Sequence, residues 1–243
     1  MATPTAFSTF LITIISFPMP EELLKEMMVT AFFGGAITGI NTPDENGNIP
    51  LVSAAANNLV LLVLLLLQNG ADVDKALTDT GVTPVHAASA EGYTDVVMVL
   101  LNYRADANKA ATIDGCTPLI IASTNGHTDV VRLLLAHGAD ADKAMTDDGG
   151  TPLFSASYHG HTNVVRLLLE HGADANKAMT DDGATPLYIA SHEGHTDVVR
   201  LLLEHGADAD KALTTDGRTP LWMATTNGHA DVVTLLLRHG ADF

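Results

Sequence analysis

Cysteine is almost missing from the 243 residues. Cys116 stands alone, so no intramolecular disulfide framework can form. That fits a reducing compartment, and the expected location is cytoplasmic. Basic residues are scarce as well, 12 Lys and Arg against 29 Asp and Glu, for a formal net charge of −17. Most of those cations are dealt out singly, as Lys75, Lys109, Lys143, Lys177 and Lys211 and as Arg132, Arg166 and Arg200. No basic patch remains, which speaks against nucleic acid and toward a basic or mixed protein surface as partner. Residues 59–67 form an uninterrupted apolar run of nine, about half of what a membrane span needs. Residues 1–19 are apolar too, but no Lys or Arg precedes Lys25 and the stretch Phe17-Pro18-Met19-Pro20 is not a small-residue cleavage site. The pattern argues against a secretory signal.

What is abundant is repetition. Gly stands at 47, 81, 115, 149, 183 and 217, and Pro at 50, 84, 118, 152, 186 and 220, both in steps of 34. A period of that size means stacked supersecondary units. Residues 149–182 show what one unit encodes. Thr151 can cap a helix whose first position suits Pro152, and Gly160 can take the left-handed conformation that ends it. Thr162 reads as a second N-cap. Behind it stand Val164, Val165, Leu167, Leu168 and Leu169, an apolar face wide enough to need neighbours on more than one side. Gly172 closes this helix, and a polar loop turns at Asp181-Asp182-Gly183 before the next Thr-Pro.

The Thr-Pro-Leu starts at 117–119, 151–153, 185–187 and 219–221, the Gly-His pairs at 126–127, 160–161, 194–195 and 228–229, the Val-Val…Leu-Leu-Leu helices and the Gly-Ala-Asp closures resemble ankyrin repeats. The resemblance covers residues 47–243. It implies an all-α solenoid of helix–turn–helix units with projecting loops. The period departs from the usual 33 residues by one in the loop. Residues 47–243 then form six repeats, the first degenerate and the last truncated. Residues 1–46 form an N-terminal hydrophobic segment and capping helix of a degenerate repeat. In the first repeat Ile49 replaces the capping Thr and Asn58-Leu59 replaces Gly-His. A helix apolar all round is a buried helix, so residues 1–35 are expected to fold over residues 59–67. At the other end Val232, Val233 and Leu235–Leu237 match the internal repeats with no following unit, which predicts weak self-association through the C-terminal repeat.

No nucleophile motif or phosphate loop is present, so no enzyme activity and no cofactor are expected. Eight of the 11 histidines lie in Gly-His or His-Gly pairs that repeat by 34, the pattern of a structural role. His159 and His192 fall outside that register. With Glu193 they could supply three metal ligands, which supports an alternative as a metal-binding or substrate-recruiting module. A purely structural, near-consensus array is a further alternative. The ankyrin resemblance implies instead a scaffold that binds a protein or peptide on its concave face and loop tips, centred on residues 115–216. Carried over by position, the candidates at the ends of the first helices are Glu91, Asn125, Tyr158, His159, His192, Glu193 and Asn227. The position after Thr-Pro-Leu adds Phe154, Tyr188 and Trp222, since aromatics serve as interface anchors.

Overall fold

The computed structural model describes residues 39–44 and 46–242. Twelve α-helices and no strand occur among them. The chain divides into two compact units, Met1–Ile113 and Asp114–Phe243. Unit 1 contains α1 (Pro50–Ala56), α2 (Val60–Gln68), α3 (Pro84–Glu91) and α4 (Thr94–Asn102). Unit 2 contains α5 (Pro118–Thr124), α6 (Thr128–Ala136), α7 (Pro152–Tyr158), α8 (Thr162–Glu170), α9 (Pro186–Glu193), α10 (Thr196–Glu204), α11 (Pro220–Thr226) and α12 (Ala230–Arg238). In each unit a first helix packs on its own second helix and on the first helix of the neighbouring repeat, while second helices stack on second helices.

Local chemistry explains the helix starts. Thr117, Thr151, Thr185 and Thr219 accept the backbone N–H three residues on, with Pro at the first helical position where a missing N–H costs nothing. Thr83 forms a capping box in which His86 replaces the usual carboxylate or amide, its Nδ1 2.9 Å from the Thr83 hydroxyl. Ile49 offers no side-chain cap and is buried instead.

The second helices start differently from expectation. Thr162 is not the cap but the first helical residue, and its hydroxyl reaches back to the Gly160 carbonyl at 3.4 Å. The cap position is His161, at φ −77° and ψ 72°, with no side-chain cap bond. The Thr162 N–H donates to the Gly160 carbonyl at 2.9 Å, so an inverse γ-turn centred on His161 joins the two helices. Leu59, Tyr93, His127, His195 and His229 have the same conformation.

The core is leucine and valine at one register. Leu66, Leu100, Leu134, Leu168, Leu202 and Leu236, spaced by 34, are all fully buried. Each contributes about 1.5–3 kcal/mol by leaving water. Asn163, Arg166 and Glu170 lie on the exposed face as the pattern predicts. Ser157 and Ser191 are buried where first helices approach closely.

Exposure is uneven at both ends of the array. In α2 only Leu62, Val63, Leu66 and Leu67 are buried, and Leu61 is 39% exposed. The segment expected to cover it lies outside the described residues. In α12, Val232, Leu235 and Leu236 are buried by α10 and α11 without any follower. Only Val233, half-buried, and Leu237, exposed, lose cover relative to Val199 and Leu203 at the same register. The apolar end face is therefore much smaller than the sequence pattern suggests. No helix among the described residues is long and apolar enough to cross a membrane.

Candidate binding surface

Joints between repeats fix the ends of the first helices. In unit 2 the His161 Nε2 lies 3.0 Å from the Thr124 carbonyl, His195 Nε2 2.9 Å from the Tyr158 carbonyl, and His229 Nε2 2.9 Å from the His192 carbonyl. A carbonyl only accepts, so in each ring Nε2 carries the proton. The rings lie flat over Gly126, Gly160 and Gly194, where a Cβ would come within 2.5–2.7 Å of the imidazole. The Gly-His pair is thus two halves of two different joints: the glycine receives the next repeat's ring, and the histidine reaches back to the repeat before. Helix ends anchored this way present their last side chains at a defined spacing.

The side chains so presented are mostly those expected. Tyr158 is 44% exposed, with its ring edge-on to His159 at 4.8 Å between centroids. His159 is exposed and stacks near His161 at 5.8 Å. Burial, with His161 and His195 close by, holds the His159 imidazole below its ordinary range, and Glu193 opposes them. Glu193 accepts from His192 Nδ1 at 2.6 Å. Asn227 is exposed and donates its Nδ2 to the His192 carbonyl at 3.0 Å. Asn125 is exposed at the end of α5, and Glu91, in unit 1, at the end of α3. The metal alternative is not assembled. His192 is engaged by its own neighbour Glu193, and among the described residues no group of three His, Cys, Asp or Glu could hold a metal ion.

The aromatic series after Thr-Pro-Leu splits. Tyr188 is only 7% exposed and is removed from the surface set. It packs with Ala184 and Met223, and half-buried Phe154, Met179 and Leu213 close around it. The next repeat's loop and first helix therefore cover this position. Trp222 has no such cover among the described residues and is 43% exposed. The Arg218 guanidinium lies 4.4 Å from its ring centroid, a cation–π contact. Trp222 also lines a pocket of about 330 Å³ with Gly217, Thr219, Leu221, Thr225 and Asp242.

The loops carry two features that sequence reasoning missed. Asp142 Oδ1 accepts the Asp174 N–H at 2.9 Å, Asn176 Oδ1 the Asp208 N–H at 2.7 Å, and Asp210 Oδ1 the Asp242 N–H at 2.9 Å. Asp74 does the same for Asp106 in unit 1. The loop lysines answer in the other direction: Lys109 Nζ donates to the Asp74 carbonyl at 2.8 Å and Lys177 Nζ to the Asp142 carbonyl at 2.7 Å. The signal was an Asp or Asn recurring every 34 residues before each loop lysine or its neighbour. The second feature is Ile113, 65% exposed at a loop tip where Asp79, Asp147 and Asp181 stand at the same register.

A sequence-family model described as ankyrin repeats (3 copies) matches residues 19–111, 105–179 and 175–243. No match was found among curated proteins.

Proposed function

The chain belongs to the ankyrin-repeat family, and we propose that it binds a protein or peptide partner through the first-helix ends of unit 2. Ankyrin repeats are generally protein–protein interaction scaffolds and typically non-enzymatic. The observation that carries the reading is Tyr158, an exposed ring held edge-on to His159 at a position where neighbouring repeats have Thr124, His192 and Thr226. An aromatic fixed by its neighbours loses little freedom on binding, which is what an anchor needs. Glu193 and the excess of 29 acidic over 12 basic residues favour a partner with basic side chains around an apolar contact.

Affinity capture with the full chain, followed by titration of each captured protein, tests this. Tyr158→Ala is expected to weaken a genuine first-helix partner by about tenfold or more. Tyr188→Ala is unsuitable as a companion because it opens the packing against Met223. Unchanged affinity for Tyr158→Ala in a protein with the wild-type helical signal moves the site to the loop tips.

A further inference from the structure

The repeat built on α11 and α12 carries a pair of residues that no earlier repeat has. In the earlier repeats with a capping Thr, the residue before that Thr is Val82, Cys116, Gly150 or Ala184, each buried or half-buried. Here it is Arg218, and it is exposed. Three positions after the cap stand His86, Ile120, Phe154 and Tyr188, again buried or half-buried, and then Trp222, 43% exposed. Both registers change in one repeat, from covered side chains to an exposed cation and an exposed indole. A charge at the place where Ala184 packs against Tyr188 is costly to bury, so this place is poorly made for the apolar joint seen one repeat earlier.

The chain itself shows what the indole takes. The Arg218 guanidinium carbon lies 4.4 Å from the Trp222 ring centroid, and its Nε lies 3.0 Å from Asp216 Oδ2. A planar guanidinium stacks on an aromatic face while a carboxylate holds its N–H groups. Beside this pair lies the cavity of about 330 Å³, lined by Gly217, Thr219, Leu221, Trp222, Thr225 and Asp242. Arg218 is not in its wall, so the guanidinium and the cavity meet the indole from different sides. Asp242 is the one ionisable group that lines it. The Asp242 N–H donates to Asp210 Oδ1 at 2.9 Å, but no hydrogen bond to the Asp242 carboxylate occurs among the described residues. The cavity thus repeats the two elements that hold Arg218, an indole surface and a carboxylate, with the carboxylate free. Its volume is at the small end for ligand pockets and suits one long side chain. Arg218 is balanced by Asp216, which leaves Asp242 and Asp210 as a local excess of negative charge.

We propose that this cavity binds an arginine side chain of a partner protein, with the guanidinium against Trp222 and its N–H groups on the Asp242 carboxylate. The site is separate from the Tyr158 surface and does not depend on it. Trp222 is the only tryptophan in the chain, so its fluorescence reports the cavity directly. The test titrates the full chain with the peptide acetyl-Gly-Arg-Gly-amide, and with the same peptide carrying citrulline, which has the shape of arginine without its charge. A saturable change in Trp222 emission is expected with the arginine peptide in the millimolar range, and binding of the citrulline peptide weaker by about tenfold or more. Asp242→Asn should weaken the arginine peptide by about tenfold and leave the urea melt unchanged, since the backbone N–H keeps its bond to Asp210. Tyr158→Ala should change neither titration, which separates a failure here from a failure of the Tyr158 surface. No saturable change with the arginine peptide, or equal responses to the two peptides, overturns the proposal. So does an Asp242→Asn protein that binds the arginine peptide as tightly as the wild type.

Discussion

The two described repeats of unit 1 and the four of unit 2 turn the chain alike with different residues. His161, His195 and His229 sit at the γ-turns of unit 2, yet Leu59 and Tyr93 adopt the same φ and ψ in unit 1. Ile49 starts α1 without the Thr hydroxyl that starts α5, α7, α9 and α11. Asn58 holds φ +56° where Gly92 and Gly126 stand, and Arg104 holds +66° where Gly138 and Gly172 stand. The backbone path is thus set by burying Leu66 and Leu100 as it is by burying Leu134 and Leu168. The Thr, Gly and His motifs strengthen helix starts and joints along a path that packing already requires.

The sharpest way to break that comparison is through the shared core. Leu66→Ala and Leu168→Ala should each cost about 2–5 kcal/mol, because both side chains are fully buried at one register. Arg166→Ala, on the exposed face, should stay within about 0.5 kcal/mol. Urea melts followed by circular dichroism measure all three. A cost for Leu66→Ala less than half that for Leu168→Ala means that unit 1 follows its path for some other reason.

Next in size come the joints. Gly160→Ala forces a Cβ into the His195 ring at 2.7 Å and into φ +72°, and should cost about 2 kcal/mol or more. Gly138, at φ +82°, has open space around its Cβ position, so Gly138→Ala should cost only about 1 kcal/mol. Equal costs would show that the ring gives way and that the histidine joint is loose.

The smallest effect runs in the favourable direction. Arg104 occupies the left-handed region that every later repeat assigns to glycine, so Arg104→Gly should stabilise unit 1 by about 1 kcal/mol. A fall in melting temperature would mean that the Arg104 side chain contributes more than its backbone strain costs.

Much of the fold was legible because its determinants are local and recur: Thr before Pro, Gly at the helix ends, Val and Leu at helical spacing. What was not legible depends on neighbours 30 or so residues away. Tyr188 reads as a surface aromatic until Met223 and Leu213 close over it. Leu236 reads as uncovered, since an apolar run does not say which of its side chains face the preceding repeat and which the following one. The inverse γ-turn was missed because Thr162 has the right side chain for a cap, and the backbone bond that displaces it leaves no mark in composition. Tyr158 and His159 were legible as departures from an otherwise regular pattern. Ile113 carried the same kind of signal and could have been found by comparing registers.

The joints have a consequence for how such a chain can change length. Each repeat of unit 2 shows its predecessor a set of groups that the next repeat reproduces. Excising residues 149–182 would bring the Asp208 N–H to the Asp142 carboxylate in place of Asp174, the His195 ring onto Gly126 in place of His161, and its Nε2 to the Thr124 carbonyl. The cut edges already match. Inserting a copy works by the same rule. A gene for this array can therefore gain or lose 34 codons at a time and still encode closed joints.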